Sequence, residues 1–333
     1  MPPNYAINIL ALPDERLEAF VKDWLSSKEK AYVETQRWNG PGDRGRDIVG
    51  YLTPQRHEGA WHNYQCKQLQ AKLTVPAAFL ELGKIFMHAA AGAYTLPSRY
   101  VFVAPRGVVR GVKDLIAHPE RFRQAAIDTW DEYCRDRLVE NTPVPLTPEI
   151  REQILAFDFT QMFALDAAQL VDDPHIKPAL VKWWKHDPGA APTGQTPDDL
   201  QEEEASYLLQ LTEAYGERTG TPFLDVTAAL ADGRWGDHLR TQRTRYFDAA
   251  AFKRYYRDNT PEEYLVTFEH DIYHGVVDVH ADDHPDTLAR VIKVLAHAST
   301  VRPSGVLADY GKSSVKQGLC HHFANEGRLP WKR

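Results

Sequence analysis

Two short stretches carry the residue types that phosphodiester hydrolysis needs. Gly42-Asp43-Arg44-Gly45-Arg46-Asp47 is followed, about 20 residues after Asp47, by Tyr64-Gln65-Cys66-Lys67. Cutting a phosphodiester requires a cation to screen the phosphate, an activated water and a stabilised leaving oxygen. Asp47 offers a carboxylate to a hard divalent ion, which favours oxygen ligands at about 2.0–2.1 Å. The amide oxygen of Gln65 and the main-chain carbonyl of Cys66 are candidate further ligands, which makes Mg²⁺, with Mn²⁺ as an alternative, the expected cofactor. Lys67 would orient or activate the attacking water, and Glu18 could complete the outer shell. Glycines ahead of Asp47 let the backbone approach the metal or the phosphate closely. Gln65 brings a neutral amide rather than a second carboxylate, which biases such a site towards a single tightly held ion.

These groups meet only if particular elements form. Residues 13–27 place Leu17, Phe20, Val21, Trp24 and Leu25 on one helical stripe, with Pro13 and Asp14 as start signals. Asp47–Leu52 and Trp61–Lys67 read as strands. Side chains alternate along a strand, so Gln65 and Lys67 share a face and Cys66 takes the other. A hairpin of the two strands would bring Asp47 to that shared face. Residues 76–91, 113–139 and 147–171 read as helices, and Tyr100–Ala104 as a further strand. Asp187–Asp198 holds three prolines and two glycines with no large apolar residue, the pattern of a linker. Beyond it the chain is largely helical in pattern, most clearly over 286–298. The expected division is therefore 1–186, a linker at 187–198, and 199–333.

Glu18, Gly42, Gly45, Asp47, Gln65 and Lys67, taken in order, resemble the PD-(D/E)xK nuclease core, and the glutamine with its GxxGxD loop resembles the Mrr-like branch. Tyr100–Gly107 and Trp130–Cys134 extend the likeness to the nuclease domain of CBASS and Lamassu effectors, over roughly residues 8–185. Gly318–Trp331 resembles the terminal motif of effector subunits in ABC-ATPase three-component systems. The resemblance implies an α/β, restriction-endonuclease-like mixed sheet flanked by helices, followed by a mostly helical partner-docking domain. It also implies double-stranded DNA as substrate, an SMC-like ABC ATPase and a small third subunit as partners, and activity withheld until foreign DNA is sensed, with room for homo-oligomerisation on activation. The rival reading is a noncatalytic adaptor that keeps the fold and binds DNA or the ATPase.

Composition sets outer bounds. The 333 residues are 43% hydrophobic and 26% charged, with a formal charge of −7. That balance argues against a nonspecific nucleic-acid coat but leaves room for a local basic cleft. Arg44 and Arg46 on the glycine loop, and Arg106 and Arg110 after the third strand, are candidate DNA contacts; Lys113, Arg121 and Arg123 extend the second group. The three cysteines are scattered, which disfavours disulfides and cysteine zinc sites. The start, Met1-Pro2-Pro3-Asn4, does not read as a secretory signal, and no apolar run approaches a membrane span; the expected location is the cytoplasm. The basic, aromatic stretch Arg234–Arg257 reads as a second DNA surface or a docking face, and equally as helix-face charges against a packed aromatic stripe. His270, His274, His280 and His284 surround Gly275–Val279, which looks like a strand, and are expected to be surface or packing groups; His321 and His322 are expected to serve packing or partner docking. Gly311-Lys312-Ser313-Ser314 lacks the glycine spacing of a P-loop.

Overall fold

The computed structural model describes residues 4–28, 31–38, 40 and 42–332. The first three residues, read above for a leader, lie outside that range. The chain forms two compact units, Met1–Trp184 and Lys185–Arg333. Among the described residues no helix is long and apolar enough to cross a membrane.

The first unit is built on a five-stranded sheet in the order β1-β2-β3-β4-β5, with β1 Glu34–Arg37, β2 Ile48–Tyr51, β3 Trp61–Cys66, β4 Arg99–Val103 and β5 Met162–Leu165. The first three strands are antiparallel and the last three parallel, so the sheet is mixed. The expected hairpin is present, pairing Ile48 with Tyr64 and Tyr51 with Trp61. Helices α1 Tyr5–Leu10, α2 Asp14–Ser26, α3 Val75–Ala90, α4 Arg110–Ile116, α5 Pro119–Asp128, α6 Trp130–Tyr133, α7 Pro148–Ala156, α8 Ala167–Val171 and α9 Lys177–Trp184 complete the unit. The period-two alternation of the strands separates two cores. Val49, Tyr51, Trp61, Tyr100 and Phe102 pack with Phe79, Leu82, Ile85 and Phe86 of α3. Ile48, Tyr64, Cys66, Val101 and Val103 pack with the predicted α2 stripe of Leu17, Phe20, Val21, Trp24 and Leu25. Each such burial contributes about 1.5–3 kcal/mol.

Two expectations for this unit change, and one strand is new. The helix expected over 113–139 is divided, because Pro119 opens a new helix after the break at His118. The helix expected over 147–171 ends at Ala156, and the Asp158 side chain then accepts from the Thr160 N–H in a tight turn that leads into β5. β1 carries no sequence signal: its four residues, Glu-Thr-Gln-Arg, form a polar edge strand without apolar alternation.

The second unit is helical, with α10 Ala205–Thr219, α11 Val226–Ala231, α12 Gly236–Asn259, α13 Glu262–Ala281, α14 Thr287–Thr300 and α15 Ser313–Asn325. The strand expected over Gly275–Val279 lies inside α13. Phe268, Ile272, Val276 and His280 are buried along it at four-residue spacing, so the helical face overrides the local β-branched run. Helices α12 and α15 approach so closely that a side chain at Gly318 would sit 1.9 Å from the Arg245 carbonyl oxygen. The basic, aromatic stretch is largely core here: Trp235, Tyr246 and Tyr256 are buried, and Arg243 forms a buried ion pair with Glu204 at 2.7 Å. Asp187–Asp198, expected to be a linker, belongs to this unit. The Tyr255 and Tyr256 hydroxyls donate to the Pro188 and Gly189 carbonyls, Asp248 accepts from the Gly194 N–H, and Arg243 donates to the Pro197 and Asp199 carbonyls.

Candidate active site

The glycine loop is pinned from several sides, and this fixes where Asp47 points. Gly45 has φ +80°, and a side chain there would meet the Lys84 Cβ at 2.8 Å, so α3 admits only glycine at that point. The Asp43 carboxylate accepts from the Gly45 N–H at 2.8 Å, and the Tyr94 hydroxyl donates to the Arg44 carbonyl at 2.7 Å. Arg46, expected to touch DNA, turns inward instead. It is 3% exposed, lies over the rings of Trp38 at 4.1 Å and Tyr94 at 4.7 Å, donates to the Asp43 carbonyl and sits 2.8 Å from the His57 Nε2. A planar cation with an aromatic ring beside it at two places is a structural clamp. Burial lowers the pKa of Arg46 from its ordinary value, and burial with the Arg46 charge beside it brings His57 down to about 4.

Asp47 leaves this loop at the start of β2, where the Trp38 N–H donates to its carbonyl at 2.8 Å. Its carboxylate is held by two groups of β3: the Gln65 Nε2 donates to Oδ1 and the Cys66 N–H to Oδ2, each at 2.8 Å. The residue is 6% exposed. Burial raises its pKa to about 7; the Lys67 charge and the Cys66 N–H oppose that rise, and the charges of Glu18 and Glu81 add to it. For Lys67, burial favours the neutral amine, but Glu81 and Asp47 outweigh it and hold the ammonium above its ordinary pKa.

Asp47, Gln65 and Lys67 are therefore gathered at one end of the β2–β3 pair, as their spacing predicts. Glu18 joins them less directly: its carboxylate is engaged by Arg37 at 2.8 Å and acts on Asp47 through its charge. The Cys66 contact with Asp47 is made by its N–H. Glu81 on α3 is a member of the site that sequence reasoning misses. It takes Lys67 on Oε1 and Lys84 on Oε2, both at 3.0 Å. The one hint is that Glu81 is the single acid on a mostly apolar helix whose other polar residues are Lys84 and His88.

The donor set suits a hard cation. The Gln65 Oε1 is buried without a hydrogen-bond partner beside a desolvated carboxylate, a pair of oxygens that a divalent ion would satisfy together. Among the described residues, no cluster of three or more His, Cys, Asp or Glu could hold a metal. Asp47 with an amide and main-chain oxygen would leave the remaining positions to water, as Mg²⁺ prefers. Four of the histidines singled out in the second unit are engaged within it: His280 and His284 meet the carbonyls of Pro330 and Val279, His321 meets Gln242, and His322 stacks on Tyr246 at 4.0 Å; His270 and His274 are exposed, with their rings 4.2 Å apart. Gly311–Ser314 follows a short 3-10 turn and opens α15, without the strand a P-loop requires.

Three of the four candidate DNA contacts reach solvent. Arg44 lies on the loop, Arg106 donates to the Leu69 carbonyl two residues past Lys67, and Arg110 is 94% exposed at the start of α4, 3.7 Å from Asp114. The bridge between Leu73 and Val108 ties the segment after β4 to the one after Lys67, so Arg106 stands at the same end of the sheet as the acid, amide and ammonium.

No curated protein and no solved structure matches this chain. Residues 204–331, from the buried Glu204 to the buried Trp331, match the family described as C-terminal domain 6 of the ABC-three component (ABC-3C) systems.

Proposed function

We propose that the chain is a metal-dependent double-stranded DNA endonuclease and the effector of a Lamassu-like anti-phage system of the ABC-3C kind. The observation that carries this reading is the junction of β2 and β3, where the Asp47 carboxylate is bound by the Gln65 amide and the Cys66 N–H while the Lys67 charge acts on it. A bound Mg²⁺ would supply charge neutralisation of the phosphate and lower the pKa of the attacking water. Asp47 and the Gln65 Oε1 would hold it, the amide turning over so that its oxygen faces the carboxylate. Lys67 would orient the water and screen developing negative charge. Arg44, Arg106 and Arg110 would hold the flanking phosphates, which positions DNA without reading its sequence.

The second unit supports a docking role, with an SMC-like ATPase and a small third subunit as the proposed partners. A free nuclease endangers its host, so we infer that those partners hold cutting in check until foreign DNA is sensed. The test is plasmid cleavage in Mg²⁺ by the full chain, alone and with the other components of its system, against Lys67→Ala. Magnesium-dependent nicking that Lys67→Ala abolishes is the expected result. DNA binding without cleavage in every combination would leave the chain a noncatalytic adaptor.

A further inference from the structure

Gln65 supplies an amide, so the β2–β3 pair brings one carboxylate, Asp47, to the site. A second comes from the helical layer above. Glu81 on α3 is 7% exposed, and its Oε1 lies 3.0 Å from the Lys67 ammonium. A lysine at the end of a strand has a long stem with many rotamers, and an ammonium lacks the planar fork that orients arginine. A buried carboxylate at hydrogen-bond distance selects one of those rotamers. Glu81 is itself held from the other side, with Lys84 3.0 Å from Oε2. Lys84 also backs onto Gly45, two residues before Asp47, so closely that a Cβ added to that glycine would lie 2.8 Å from the Lys84 Cβ. One turn of α3 thus touches both the loop that presents Asp47 and the head of Lys67.

We propose that Glu81 is the positioning residue of this site: it holds the Lys67 ammonium beside Asp47 and Gln65 and, through Lys84, ties that grip to the glycine loop. Both of its oxygens are engaged by ammonium groups, so it acts through Lys67 rather than on a cation or on DNA. The inference rests on the nuclease reading above and adds a residue to it.

The experiment compares the full-length wild type with Glu81→Gln and Glu81→Asp. The readouts are plasmid nicking in Mg²⁺, Mn²⁺ affinity from the paramagnetic signal of the free ion, and the acylation rate of Lys67 followed by peptide mass spectrometry. Glu81→Gln is expected to slow nicking roughly 10–100-fold, the usual scale for a group that orients a site residue. It should leave Mn²⁺ affinity unchanged and make Lys67 acylate faster. Glu81→Asp keeps the charge with a shorter reach and should fall between the two. Nicking by Glu81→Gln at the wild-type rate overturns the proposal. So does a loss of Mn²⁺ affinity in step with the rate, which would make Glu81 a ligand. If Glu81→Gln does not fold, Glu81→Asp decides by the same criteria. A wild type that never cuts, with or without the other components, refutes the nuclease reading instead, and the acylation comparison still decides whether Glu81 grips Lys67.

Discussion

Replacing Asp47 by Asn should stabilise the first unit at alkaline pH while destroying cleavage. The carboxyl, ordinarily near 3.8, titrates at about 7 because it is buried. An acid whose folded pKa is raised contributes no penalty below its unfolded value, where both states are neutral. As pH rises from about 4 to about 7 the unfolded state ionises freely and the folded state resists, so stability is lost across that window and stays lost above it. At 1.36 kcal/mol per pKa unit, the loss levels off at about 4 kcal/mol. In Asp47→Asn the side-chain oxygen still accepts from the Cys66 N–H, and Gln65 can turn its partnerless Oε1 towards the new amide. The assay is urea unfolding of both proteins from pH 4.5 to 8.5, read as the difference between them so that other titrating groups cancel. The variant should gain on the wild type through that range and end about 4 kcal/mol ahead. Millimolar Mg²⁺ at pH 8.5 should raise the wild type and leave the variant unmoved, because a ligand stabilises only the state that binds it. A pH-independent difference, or a variant less stable than wild type at pH 8.5, would refute the account of a desolvated carboxylate awaiting a cation.

Arg46→Ala should cost about 2–4 kcal/mol in unfolding experiments and slow cleavage, because it removes the clamp between Trp38 and Tyr94; Arg46→Lys should recover little, lacking the planar fork. Arg106→Glu with Arg110→Glu should leave stability near wild type but weaken DNA binding alike for all sequences, with the slope of log K against log salt shallower by about one for each phosphate no longer neutralised. Gly318→Ala should remove the unfolding transition of the second unit from calorimetry or lower it by at least about 1–3 kcal/mol, since the added methyl meets the Arg245 carbonyl oxygen at 1.9 Å.

The site's strands are legible because their signals are local. Asp47, Gln65 and Lys67 lie on two adjacent segments joined by a short connection, so alternation puts Gln65 and Lys67 on one face and the hairpin brings Asp47 to it. The α2 stripe is legible for the same reason, its period being visible within one window. Glu81 is not, because its partner is 14 positions away across a layer boundary and only packing of α3 onto the sheet brings the two together. Arg46 misleads for a related reason. An arginine in a glycine loop looks solvent-bound until Trp38, Tyr94 and His57 close around it from three other places in the chain. Gly275–Val279 looks like a strand because the five-residue view hides the four-residue spacing of Phe268, Ile272, Val276 and His280.

The ordered stretch ahead of α10 decides where a working piece of the second unit can begin. A clone that starts at residue 204, the edge of the matched region, would be born with the hydroxyls of Tyr255 and Tyr256 reaching for carbonyls that are gone and with Arg243 stripped of two of its acceptors. Tyr256 and Arg243, both buried in the intact unit, would lose that cover together with those partners. The smallest self-sufficient fragment should therefore open near Lys185, and a protease that trims the intact protein should stop there rather than at the border that sequence similarity draws.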